Sequence, residues 1–408
     1  MPTTTTTEAP RGVDPLLARL GLRPVINVGG SISRIGGTTL APEVREAMTA
    51  AASSFIPLVE LQAWASEAIA EATGAEAGCV ASGAAACLFL ASAASLARLD
   101  PAVMDRLPDT AGIPNEIVVH RAHRNPYDHA LRAAGARFVE FGYMGPANPG
   151  TRRWQMESAI SERTVAVFYP GAKTSGVLPL SDVAEIAHRH DLPVIVDAAE
   201  MVPPPENLRR FIADGADLVA FSGGKAVGGP AASGFLAGRR DLIWSATAQQ
   251  QDMFVRPSSW PGPQGGDSRD ALPEPPQQAI GRIVKVGREE IVGLVVALRR
   301  YLALDHRAQR TRWVAMADRI ARDLDGVGGG GAAVVGGEDA SVPIVAIAPV
   351  GGASAAARVI RALRERDPRV WAGEEFLDRG EVAVNVQHLR DEEIEVVIDR
   401  LREVLGAG

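Results

Sequence analysis

Between Glu116 and Gly238 the chain switches repeatedly between two hydrophobic periods. Short apolar runs read as strands: Glu116-Ile-Val-Val-His120, Arg137-Phe-Val-Glu-Phe141, Thr164-Val-Ala-Val-Phe-Tyr169, Pro193-Val-Ile-Val-Asp197, Asp217-Leu-Val-Ala-Phe221 and Gly234-Phe-Leu-Ala-Gly238. Stretches with apolar residues every three or four positions, near 126–134, 181–190 and 206–214, read as helices between them. Strands apolar on both faces, alternating with crossover helices, predict a mostly parallel sheet covered on both sides.

Upstream, the Ala-rich stretch 42–99 keeps a helical period, with helices expected near 42–52, 60–73 and 83–98. Downstream, 256–276 is thick with Pro, Gly and Ser and breaks every period. Residues 286–325 return to helix. The glycines at 328–331 then mark a loop into Val342-Pro-Ile-Val-Ala-Ile347, a helix over 354–366, an extended Val382-Ala-Val-Asn-Val386 and a last helix over 391–405. The expected fold class is α/β, a three-layer, mostly parallel sheet with a small C-terminal α+β domain. Its parts are a leader over 1–20, disordered at its start, a large domain over 21–285 that includes a helical segment 21–75, and a small domain over 286–408.

Composition narrows the function classes. The 408 residues exceed a single core, and 46% hydrophobic with 22% charged residues is ordinary for a globular protein. A net charge of -7 and no dense Lys/Arg tract give no footprint for nucleic acid. The N-terminal Met-Pro and five threonines lack the apolar core of a signal peptide, and no uninterrupted apolar segment is long enough to span a bilayer. Cys79 and Cys87, in or beside apolar sequence, read as buried thiols of a reducing compartment. The reading is a cytoplasmic protein without a membrane or nucleic-acid partner.

Ligands of parallel sheets bind beyond the carboxyl ends of the strands. There lie Asp197 and, 28 positions on, Lys225 of Phe221-Ser222-Gly223-Gly224-Lys225. A lysine that loses its proton condenses with an aldehyde cofactor. A carboxylate hydrogen-bonded to the ring nitrogen of pyridoxal phosphate keeps that nitrogen protonated, so that the ring withdraws electrons. Taken singly, Lys225 reads equally as a solvated loop lysine and Asp197 as a helix N-cap. Together they predict pyridoxal 5'-phosphate. Ala81-Ser82-Gly83-Ala84-Ala85-Ala86 opens a helix, with Ser82 as its expected N-cap and the small residues leaving the first amides open to a phosphate. A plain capped core helix is the competing reading. Ser222 is expected to add a hydroxyl to the same phosphate, and Ala199 and Gly229 complete the expected cofactor contacts.

His120, His123 and His129 cluster past a strand end. With no cysteine and a single acidic residue, Asp128, the stretch does not predict a metal site. His123 is the candidate for a ring laid on the cofactor, against a surface histidine. Arg34 and Arg282 are candidates for binding a substrate carboxylate, because a guanidinium matches that group with two hydrogen bonds.

At these residues the chain resembles fold-type I pyridoxal phosphate enzymes. More narrowly, it resembles the selenocysteine synthase-like group that includes L-seryl-tRNA(Sec) selenium transferase and D-glucosaminate-6-phosphate ammonia-lyase. The matching stretches are Val25-Ile-Asn-Val-Gly-Gly30, Gly36-Gly-Thr-Thr-Leu-Ala-Pro-Glu43, Thr73-Gly-Ala-Glu-Ala77, Ser82-Gly-Ala-Ala-Ala86, His123-Arg-Asn-Pro-Tyr127, Pro204-Pro-Glu-Asn-Leu208, Ser222-Gly-Gly-Lys225 and Lys285-Val-Gly-Arg-Glu-Glu290. The resemblance implies a homodimer or larger assembly with sites at subunit interfaces, Lys225 as the cofactor lysine, and the 228–234 loop near the phosphate. Two departures stand out. Ala231 and Ala232 occupy loop positions where ammonia-lyase-like members tend to carry Gln and Ser. The catalytic pattern also begins by about Gly21, without the RNA-binding region of the selenium transferase.

The expected activity is Cα deprotonation followed by β-elimination or β-replacement on a small amino acid or amino sugar acid, a small-molecule amine. An aminotransferase is the alternative within the same chemistry. A non-catalytic, cofactor-binding scaffold is the alternative from another class.

Overall fold

The computed structural model describes residues 14–145, 150–336 and 342–406; the expected disordered start of the leader lies outside them. Contacts divide the chain into two compact units, Gly36–Leu304 and Met1–Ile35 with Asp305–Gly408.

The large unit is built on seven strands. They are β1 (Ala77–Ala81), β2 (Glu116–His120), β3 (Arg137–Phe141), β4 (Thr164–Pro170), β5 (Val194–Asp197), β6 (Leu218–Ser222) and β7 (Gly234–Gly238), in the spatial order β1-β7-β6-β5-β4-β2-β3. β6, β5, β4, β2 and β3 pair in parallel, whereas β7 runs antiparallel to both β1 and β6. Val118, Val167, Val194, Val196 and Val219 enter one core, and Ile117, Val119, Ala166, Phe168, Ile195, Leu218 and Ala220 the other. The period-2 alternation therefore delivers apolar side chains to both faces, and each fully buried Val, Ile or Leu contributes about 1.5–3 kcal/mol.

Strand β1 corrects the reading of 42–99 as helices alone. All five of its residues are buried and small or apolar, so its period of two has no polar partner to show itself against. The helices around it are α1 (Pro42–Ala52), α2 (Leu58–Thr73) and α3 (Ala84–Ala97). Residues 86–97 of α3 are all buried, the mark of a helix wrapped by protein on every side.

A further helix, α4 (Arg288–Ala303), packs on α1 and α2 and lies within the large unit, although the sequence reading began the small domain at 286. The small unit holds an antiparallel sheet of Gly331–Val335, Ile344–Ala348 and Val382–Asn385 and a parallel pair of Ile26–Val28 with Val370–Ala372. Helices His306–Leu324, Gly352–Glu365 and Ile394–Gly406 cover it. Residues 26–28 thus belong with the C-terminal part of the chain. Among the described residues no helix is long and apolar enough to cross a membrane.

Candidate active site

Parallel register brings the predicted residues to one edge. Asp197 ends β5 opposite Ala220 of β6, and β6 runs two residues further to Ser222, from which the chain turns into Gly223-Gly224-Lys225. The Asp197 carboxylate accepts from the Ala199 amide at 3.0 Å. Burial raises its carboxyl above the usual range, opposed by that hydrogen bond and by the charge of Lys225.

The Lys225 side chain is 21% exposed, and its Nζ lies 2.7 Å from Oε1 of Glu200. Gly224 lets the loop close here, because a Cβ on it would stand 2.6 Å from Cα of Ala231. The amide of Gly229 donates to the Gly223 carbonyl at 2.8 Å and that of Gly228 to the Lys225 carbonyl at 3.0 Å, so the loop after the lysine folds back on itself.

The N-cap of α3 is Gly83, not Ser82, and no side chain caps it. Gly83 has φ 104°, a left-handed value that a residue with a Cβ rarely adopts, and open space where a Cβ would be. Ser82 instead donates its hydroxyl proton to the Val284 carbonyl at 3.2 Å. Behind the helix start, β7 approaches so closely that a Cβ on Gly234 would lie 2.5 Å from the carbonyl carbon of Gly83. The first amides of this fourteen-residue helix have no side-chain partner in the cap, an arrangement that binds phosphate.

His123 is buried, and neither ring nitrogen has a hydrogen-bond partner. Its ring meets Tyr169 edge-on at 4.7 Å and His120 at 5.5 Å. Burial, then the neighbouring His120, lowers it to about 4, so the ring is neutral at physiological pH. His120 accepts the Ala122 amide at Nδ1, 3.0 Å, and thereby caps the short 3-10 turn Arg121–His123 that carries His123. His129 is exposed.

The two arginines separate. Arg282 sits in the 3-10 turn Ile280–Val284 and lines a cavity of about 540 Å³ together with Phe55, Leu58, Lys285 and Arg288. Val284, whose carbonyl receives the Ser82 hydroxyl and the Gln250 amide, joins this wall to the start of α3. Arg288 is committed to the carbonyls of Ala51 and Ala52. Arg34 belongs to the small unit, where it pairs with Glu374 at 3.6 Å and lies 5.9 Å from the Trp371 ring centroid.

Glu200 and Lys285 were not among the candidates. Glu200 is a loop glutamate with no period to mark it, and Lys285 stands three residues beyond Arg282, itself quoted only within a family motif.

These residues fit pyridoxal phosphate. A lysine amine, a half-buried carboxylate, an uncapped helix start and a buried ring with unpartnered nitrogens would supply a partner for its aldehyde, ring nitrogen, phosphate and ring face.

Comparison with known proteins agrees. The family model for SelA, L-seryl-tRNA selenium transferase, matches residues 59–256. A D-glucosaminate-6-phosphate ammonia lyase of Salmonella typhimurium is 35% identical over 318 residues, 76% of this chain and 75% of that protein. A 5'-C-glycyluridine monooxygenase-decarboxylase of a Streptomyces species is 31% identical over 398 residues, 95% of this chain and 91% of that protein. The solved structure of a D-glucosaminate-6-phosphate ammonia-lyase superposes with a TM-score of 0.77 at 31% identity, covering 97% of this chain and 99% of the other.

Proposed function

Because this chain belongs to the selenocysteine synthase-like family of fold-type I pyridoxal phosphate enzymes, we propose that it removes the α-proton of a small amino acid or amino sugar acid and then eliminates or replaces a group at the β-carbon. The observation that carries this reading is the placing of Asp197 at the end of one parallel strand and of Lys225 three residues past the end of its neighbour. Pyridoxal 5'-phosphate, when bound, supplies an electron sink for the charge left on the substrate's α-carbon.

The chain's own residues divide the remaining work. Lys225 would hold the cofactor through its aldehyde carbon, and its amine would be the base that takes the α-proton. Asp197 would hold a proton on the ring nitrogen, its carboxylate steadied by the Ala199 amide. The first helix amides, of Ala84 and Ala85, would hold the phosphate, with Ser222 beside them; Gly83, whose own amide donates to the Ala81 carbonyl at 2.8 Å, makes the turn that presents them. Ser82, whose single proton goes to Val284, contributes its backbone and fixes the neighbouring wall. His123 covers the ring, while Ala199 and Gly229 shape the rim. Arg282 and Lys285 take an anionic group of the substrate. The Salmonella relative acts on a phosphorylated amino sugar acid, which has two such groups.

The exposed apolar side chains of Phe55, Leu58 and Ile283 lie in the segments forming this cavity wall and support assembly into a dimer there. The buried free thiols Cys79 and Cys87 fit a reducing cytoplasm.

Incubation with β-hydroxy amino acids and sugar acids in the absence of a keto acid tests the reading. Ammonia release without accumulation of the pyridoxamine form supports it. A stoichiometric pyridoxamine form that turns over only with a keto acid supports an aminotransferase instead. One observation favours a second reading: the monooxygenase-decarboxylase aligns with 95% of this chain, against 76% for the ammonia lyase. Oxygen uptake with carbon dioxide release would mark that chemistry.

A further inference from the structure

We propose that Glu200 is the catalytic acid–base group that moves protons on and off the Lys225 amine as the cofactor is attached, a role that rests on Lys225 being the cofactor lysine. Glu200 Oε1 touches the reacting nitrogen, at 2.7 Å. The two side chains differ in exposure: that of Glu200 is 74% exposed and that of Lys225 21%. One face of the carboxylate is therefore in water while the other meets an amine that is largely covered.

The position is held by the backbone. The Met201 amide donates to the Ala198 carbonyl at 3.1 Å, and Asn207 Nδ2 donates to the Met201 carbonyl at 2.6 Å. The other nearby carboxylate cannot serve, because Asp197 accepts from the Ala199 amide and is assigned to the ring nitrogen. An exposed ion pair contributes ~0–1 kcal/mol to stability, so the fold alone gives little reason for this contact.

The proton balance requires such a group. A lysine ammonium has no lone pair. Lys225 gives one proton to Glu200, and its freed pair forms a C–N bond to the aldehyde carbon. The aldehyde oxygen takes that proton back from Glu200 and a second from the amine nitrogen, and leaves as water as the C=N bond forms. In sum, one ammonium and one aldehyde give one protonated C=N linkage and one water. Run in reverse, the same steps release the lysine.

The test is the rate at which cofactor-free protein captures pyridoxal 5'-phosphate, followed by stopped-flow absorbance of the C=N linkage, in wild type, Glu200→Gln and Glu200→Ala. Positioned acid–base groups contribute about 10²–10⁴-fold, so capture by Glu200→Gln is expected to slow at least ~100-fold. Added formate should restore part of the rate to Glu200→Ala and none to Glu200→Gln. Urea midpoints of the cofactor-free variants should match wild type, because the side chain is exposed. Capture at the wild-type rate by Glu200→Gln, while wild type forms the linkage, overturns this assignment alone. A wild type that forms no linkage overturns both the assignment and the cofactor reading.

Discussion

His120 Nε2 stands 2.7 Å from Thr151 Oγ1, and Thr151 Oγ1 donates in turn to the Gly176 carbonyl at 3.0 Å. Because Nδ1 of His120 accepts the Ala122 amide, Nε2 carries the proton and donates to Thr151. Burial, then Arg121, lowers the His120 pKa and favours this neutral form. The chain of bonds fixes the turn that presents His123. Thr151→Val is expected to cost about 1–3 kcal/mol, the penalty of a buried donor left unpaired. It should also weaken cofactor binding roughly tenfold, the equivalent of about 1.4 kcal/mol, whereas Thr151→Ser retains both. Urea unfolding and equilibrium titration with pyridoxal phosphate measure the two effects.

Gly234→Ala places a methyl group 2.5 Å from the carbonyl carbon of Gly83 and 2.7 Å from the nitrogen of Ala84. Backbone on both sides leaves no side chain to yield, so the start of α3 must shift. We expect a loss of about 1–3 kcal/mol in stability from overpacking. A larger fractional loss is expected in affinity for pyridoxal phosphate than for pyridoxal, because the displaced amides are those assigned to the phosphate. Titration with the two cofactor forms separates the effects.

Arg282→Ala and Lys285→Ala remove cations from a cavity wall rather than from the reacting atoms. Each is expected to raise KM for a substrate with an anionic distal group by about tenfold, with kcat little changed, the pattern of a lost uniform binding interaction.

Acid should unfold the protein through the buried His123 and the half-buried His388. Burial lowers His123 and His388 to about 4, against about 6.5 in the unfolded chain. Between these values the unfolded state binds more protons, so stability rises with pH. Their contribution is complete above about pH 6.5 and is lost as pH falls towards 4. Asp197, raised by burial, works in the opposite sense at the acid end. Urea midpoints measured from pH 7 down to pH 4 should fall steadily, and the fall should be shallower in His123→Phe.

The parallel strands were legible because they are apolar runs, and Asp197 and Ser222 stood out as the polar residues that end β5 and β6. Strand β1 was not, since an all-buried run lacks alternation. The N-cap shifted from Ser82 to Gly83 because a serine hydroxyl has several acceptors to choose from, and Val284, 202 residues away, is invisible locally. For the same reason the pairing of Ile26–Val28 with Val370–Ala372 could not be read from either segment. Glu200 escaped notice because its meaning lies in a contact with a residue 25 positions on.

The most direct test of the central claim is the absorption spectrum of the protein after incubation with pyridoxal 5'-phosphate and removal of the excess. A visible band of the lysine-bound cofactor in wild type, absent in Lys225→Ala and shifted or weakened in Asp197→Asn, is the predicted result. A cofactor-loaded wild-type protein without that band, or a Lys225→Ala variant that retains it, would contradict the account.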